Sequence, residues 1–136
     1  MTEILFYITE QAGAEAQASL AWRIAEKAWR QGHSVYIHCC DEAHAEALDQ
    51  LFWQQPATGF LPHGLTPLEP VQLGHGDDPG ERHDVLINLA PTVPDFATRF
   101  TRVAEMITGD PELRDAGRQR FRFYRDRGLS IRTHNL

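Results

Sequence analysis

The chain has 136 residues, 42% of them hydrophobic, with two cysteines and a net charge of −6. That length buries one sizeable core and divides poorly into two, so a single domain over residues 1–136 is expected. No apolar run reaches the length of a membrane span, and the N-terminus passes directly into Thr2-Glu3-Ile4-Leu5-Phe6-Tyr7-Ile8 with no basic segment and cleavage site. The expected compartment is the cytoplasm, with no membrane partner. Cys39 and Cys40 are chain neighbours and cannot form an ordinary long-range disulfide with each other, which fits reduced thiols.

Glu3 to Ile8 is apolar, β-branched and aromatic at strand length, and predicts a first strand. Ala18, Ala21, Trp22, Ala25, Ala28 and Trp29 recur at spacings of three and four, the pattern of an amphipathic helix that closes near Gly32. Ser34 to Cys40 predicts a second strand, and Asp41 caps a helix running to about Trp53. Prolines at 56, 62, 67, 70 and 79 then limit the chain to loops and short extended pieces near Phe60 and Val71-Gln72-Leu73. Residues 74–82 are the candidate mobile surface loop. His83 to Leu89 is a continuous apolar run, as expected of a strand buried on both faces.

A helix through Phe96, Phe100, Val103 and Ile107 is expected after Pro94-Asp95, and a last helix from Asp110-Pro111-Glu112 to near Gly128. Strands alternating with helices imply a single three-layer α/β/α domain with a mostly parallel central sheet. Such an architecture resembles nucleotide-binding folds, yet the phosphate loop they need is absent. The turn after the first strand, Thr9-Glu10-Gln11-Ala12-Gly13-Ala14-Glu15, offers one glycine and two carboxylates that would repel phosphate.

Asp41-Glu42-Ala43-His44 spells the metal-and-water motif of a helicase family. That motif works only beside a lysine-bearing phosphate loop, and the only lysine, Lys27, lies inside a helix. A capped helix start accounts for it. His38, Cys39, Cys40 and His44 lack paired zinc spacings, and residues 38 and 39 of a strand point to opposite faces, so neither a metal nor another cofactor is expected. A nucleotide-binding enzyme of helicase-like α/β fold with a degenerate site is the alternative class, separable by calorimetric titration with nucleotide.

Charge is unevenly distributed. Residues 112–136 carry Arg114, Arg118, Arg120, Arg122, Arg125, Arg127 and Arg132 against Glu112, Asp115 and Asp126, a local charge of +4, and the remainder carries −10. Arg114, Arg118, Arg122 and Arg125 fall at steps of four, four and three, which makes one helical stripe bordered by Ile107 and Phe121. Guanidinium groups pair bidentately with carboxylates and an apolar neighbour adds a socket, so the stripe suits an acidic peptide. A solvated helix face is the plain structural reading of the same residues. Direct nucleic-acid binding by the stripe is opposed by the acidic remainder. Phe52-Trp53 and Phe60-Leu61-Pro62-His63 form a second patch of large apolar groups, which either anchors a partner or packs in the core.

These pieces, in this order, resemble the chi subunit family of the bacterial DNA polymerase III holoenzyme over nearly the whole chain. The resemblance rests on Phe6-Tyr7, Trp29-Arg30-Gln31-Gly32, Leu51-Phe52-Trp53 with Pro56, Phe60-Leu61-Pro62-His63, Asp84 to Leu89, Asp95-Phe96-Ala97 and Arg118 to Arg125. It implies a non-catalytic accessory subunit that pairs with the psi subunit, and through psi joins the clamp loader. It further implies a contact with the acidic C-terminal tail of single-stranded DNA-binding protein, at Arg114, Arg118, Phe121 and Arg125 with Ile107 on the rim. The psi-facing surface implied is Trp53, Phe60, Pro62 and His63. Arg114 stands where family members carry lysine, which keeps the charge and changes the geometry.

Overall fold

The computed structural model describes residues 2–55 and 61–136. Among the described residues the strands and α-helices follow in the order β1 (Glu3–Ile8), α1 (Ala14–Arg30), β2 (Val35–His38), α2 (Glu42–Phe52), β3 (His63–Gly64), β4 (Val71–Gly74), β5 (Val85–Asn88), β6 (Arg102–Ile107), α3 (Pro111–Asp126) and β7 (Ser130–Asn135). The strands form one sheet in the order β3-β4-β2-β5-β6-β1-β7, and every described strand pair is parallel. No described helix is long and apolar enough to cross a membrane.

Strand side chains alternate between two faces, and that alternation sorts the core into two halves. Val35, Ile37, Val85, Ile87, Ala104 and Met106 meet Ala21, Trp22, Ala25 and Leu48 of α1 and α2. Ile4, Phe6, Tyr36, Leu86 and Val103 meet Phe96, Phe100 and Tyr124 on the other side. The three-layer arrangement follows, with α1 and α2 on one face and α3 on the other. Asp41 caps α2 as expected, its carboxylate accepting the His44 N–H at 2.8 Å.

The helix expected through Phe96, Phe100, Val103 and Ile107 does not form. A single 3₁₀ turn, Ala97–Arg99, is followed by β6 from Arg102. Phe96 and Phe100 are buried against the sheet, but Val103, Ala104, Glu105 and Met106 are consecutive buried residues of a strand paired on both sides and covered on both faces. Burial on both faces overrode a helical spacing. β7, at the sheet edge beside β1, was likewise outside the sequence expectation.

In the segment 74–82, expected to be a surface loop, residues 75–78 are exposed and Arg82 anchors the end. Its guanidinium donates to the carbonyls of Val35 at 3.1 Å, Pro67 at 3.0 Å and Pro70 at 2.9 Å, with a further short contact to the Glu69 carbonyl.

Candidate functional site

Arg114, Arg118, Phe121 and Arg125 share one face of α3, and β6 and β1 bring Ile107 and Ile8 beneath them. These residues with Arg122 enclose a groove of about 370 Å³. Its floor is apolar: Phe121 packs on buried Phe6 with ring centroids 5.2 Å apart. Its rim is cationic, and among the described residues no acidic side chain lines it. The Nε of Arg114 donates to the Thr108 carbonyl at 2.9 Å, which fixes this half-buried guanidinium over the groove. Arg118, Arg122 and Arg125 are exposed, the last making only a weak 3.4 Å contact to Asp126.

Close approach of α3 to the sheet depends on Gly117. A Cβ there would lie 2.8 Å from Ile107 Cγ1, inside any real contact distance. The helix therefore carries a residue that costs it about 1 kcal/mol relative to alanine, and in exchange Ile107 tucks against the helix as the groove wall.

The opposite face of α3 explains why the groove holds its shape. Glu105, on β6, is fully buried. Its carboxylate accepts from Arg120 Nε at 2.8 Å, Tyr124 Oη at 2.5 Å and Asn88 Nδ2 at 3.0 Å. Arg120 continues to the carbonyls of Pro91 at 3.0 Å and Met106 at 3.3 Å. Burial pushes the Glu105 carboxyl above its ordinary range, while Arg120 and the hydrogen bonds of Tyr124, Asn88 and Arg120 pull it down. Burial, and then the same carboxylate, drive the Tyr124 phenol well above its normal value. This satisfied network registers α3 on the sheet.

Trp53 is 61% exposed although it directly follows buried Phe52. Its ring stands 4.5 Å from the imidazole of His63, which is buried and T-shaped against Phe52. His63 Nδ1 donates to the Leu61 carbonyl at 2.8 Å, and Nε2 faces Asp49 Oδ1 at 3.5 Å. Pro62 between them is half-buried. Phe60, expected in this patch, lies outside the described residues. Trp53 and His63 thus lie together, the first exposed and the second buried, at the far end of the sheet from the α3 groove.

Parallel α/β sheets bind ligands beyond the C-terminal strand ends, where neighbouring connections leave to opposite faces. Here that point lies between β1, which feeds α1, and β6, which feeds α3. An anion would sit against the α1 N-terminus, but Asp110 Oδ2 already accepts the Gly13 N–H at 3.1 Å and the Thr108 hydroxyl at 2.9 Å. Asp110 is also the N-cap residue of α3, but its side chain makes no bond to that helix. Those donors hold its carboxyl below the usual range. A built-in carboxylate thus stands where a phosphate would bind. The second half of the helicase-like motif is also structural: His44 Nδ1 accepts the Cys40 N–H at 3.0 Å. Cys39 and Cys40 are both free thiols, and burial pushes Cys39 up to about 12, far from a reactive thiolate.

Two groove residues escaped the sequence reading as lining groups, Ile8 and Arg122. Arg122 was visible within the arginine stripe. Ile8 carries no sequence signal, because only the β1–β6 pairing, Ile8 against Ile107, puts it there.

Fold and groove together define the class: a parallel α/β/α domain with a cationic, apolar-floored groove on its last helix in place of a phosphate loop. The family model described as DNA polymerase III chi subunit, HolC, matches residues 1–132. The chain is 44% identical to the DNA polymerase III subunit chi of Pseudomonas aeruginosa, covering 100% of this chain and 98% of that protein. It is 34% identical to the subunit of the same name from Escherichia coli K12, over 98% of this chain and 97% of that one. For the Haemophilus influenzae subunit the figures are 32%, 96% and 95%. The chain belongs to the DNA polymerase III chi subunit family.

Proposed function

We propose that the domain is a non-catalytic adaptor of the clamp-loader assembly, cytoplasmic and without a cofactor, that pairs with the psi subunit and binds the acidic C-terminal tail of single-stranded DNA-binding protein. The observation carrying the tail contact is the α3 groove, in which Arg114, Arg118, Arg122 and Arg125 ring the apolar side chains of Ile8, Ile107 and Phe121. An acidic peptide ending in an aromatic residue complements it in both respects. The ring enters the apolar floor, and its carboxylates meet guanidinium groups that have few competing partners. Arg114, held from behind by Thr108, is pre-oriented and loses little freedom on binding.

Titration of a fluorescent peptide of that composition tests the reading. Saturable binding that weakens with salt is expected, and Arg118→Ala should reduce affinity about tenfold, the loss of one charge-assisted hydrogen bond. No binding by folded wild-type protein overturns it. For the psi contact, the exposed Trp53 beside His63 has the character of an interface anchor. Trp53→Ala should abolish or strongly weaken co-elution with psi while leaving tail binding unchanged, and undiminished pairing by the folded variant rejects that surface. The nucleotide-enzyme alternative draws no support from the strand ends, where Asp110 holds the anion position.

A further inference from the structure

The sheet is covered unevenly. On the α1 side the helices lie over β5, β2 and β4 and reach Leu5 and Tyr7 of β1, whereas the edge strand β7 stays open. Two adjoining hollows of about 260 and 270 Å³ run along this strip beside α1, sharing Tyr7, Ile24, Lys27 and His134. On the floor, Tyr7 and His134 face each other across the β1–β7 register and stack at 5.4 Å with an interplanar angle of 18°. On the banks stand Arg23 and Lys27 from α1, Arg102 from β6 and Arg132 from β7. Glu3 is the one acidic residue lining it among the described residues, 3.9 Å from Arg132. Four fixed cations against one carboxylate make this a cationic trough on a chain whose net charge is −6. The four come from three separate elements and form no run in the sequence.

We propose that this trough binds a short stretch of single-stranded nucleic acid, its phosphates paired with Lys27, Arg23, Arg102 and Arg132 and a base stacked on the open face of His134 above Tyr7. Two features favour that occupant. The floor presents an aromatic pair on a sheet surface flanked by cations, the arrangement that accepts bases irrespective of sequence. The strip follows the six residues of β7, roughly 20 Å at strand rise, which accommodates about four nucleotides, the lower end of such sites. The trough lies on the opposite sheet face from the α3 groove, and the inference stands without the tail contact. The acidic remainder of the molecule keeps the binding weak and dependent on low salt.

The test is fluorescence anisotropy of a labelled oligothymidylate of about twelve residues at about 50 mM salt, using the full chain, the double variant Lys27→Glu/Arg132→Glu and, for comparison, Arg118→Ala. Expected are saturable binding by wild type, a loss of about tenfold or more in the double variant, and retention in Arg118→Ala. Each phosphate engaged contributes a salt slope of about −0.7, so three contacts give about −2. Ring-proton resonances of Tyr7 and His134 should shift on titration, a readout that separates stacking from diffuse attraction. Absence of saturable binding overturns the proposal. So does loss in Arg118→Ala with retention in the folded double variant, which moves the site to α3. Occupation of the trough by an acidic peptide, with no displacement by the oligonucleotide, also overturns it.

Discussion

Helix α3 presents arginines on both of its faces, and the two sets do opposite things. Arg120, 7% exposed, spends its donors on Glu105 and on two carbonyls, and holds the helix to the sheet. Arg118, two residues earlier on the outer face, has no protein partner among the hydrogen bonds and ion pairs of the described residues and stands exposed over the groove. Residue type is the same; solvation differs. A buried guanidinium is tied up because leaving it unpaired is prohibitively unfavourable, whereas an exposed one keeps its hydration at little cost until a ligand arrives. Structural rigidity and binding capacity are thus divided between the two faces of one helix.

The largest expected effect lies on the inner face. Arg120→Ala or Glu105→Ala strands a buried partner and should destabilise the domain by about 3–5 kcal/mol, read by denaturant unfolding. Arg118→Ala should leave stability within about 0.5 kcal/mol of wild type. If the two variants unfold alike, the division between faces is wrong.

A smaller effect is expected between the faces, at Gly117. Gly117→Ala adds helix propensity worth about 1 kcal/mol but forces Ile107 from its place against the helix. We expect near-unchanged thermal stability with several-fold weaker binding of an aromatic-ended acidic peptide, and a smaller penalty for a peptide ending in alanine. Equal loss for both peptides would show that Ile107 does not shape the socket.

The smallest effect concerns pH. His38 and His44 are both held below the ordinary histidine value, chiefly by burial. The unfolded chain therefore takes up protons before the folded one, and their contribution to stability falls as pH drops below about 6.5 and through the lowered folded values. His38→Phe should reduce the stability change measured between pH 7 and 5; an unaltered change would assign the titration elsewhere.

Much of the fold was legible because local and tertiary demands agreed. β1, α1, β2, α2, β5 and α3 each show a periodicity or cap that matches their burial, as at Asp41 and the Ala18-to-Trp29 face. β6 was not legible: Phe96, Phe100, Val103 and Ile107 happen to fall at helical spacing, and its central Glu105 is a charged residue whose burial depends on Arg120, Tyr124 and Asn88. Of the groove, the arginine stripe and Phe121 were legible from α3 alone. Ile107 entered as its neighbour, but Ile8 arrives through strand pairing 99 positions away.

A mostly parallel α/β/α domain without a phosphate loop, a basic last helix on an acidic body, and membership of the chi subunit family were all legible along the chain. Each of those rests on short-range pattern or on residue identity in order. Only the tertiary structure decided which arginines face solvent, that Asp110 occupies the anion position at the α1 N-terminus, and that Arg23, Lys27, Arg102 and Arg132 converge on one open strip of sheet. The reason is physical: burial and charge convergence are set by the order and register of strands in a sheet, and those belong to pairs of segments far apart in the chain.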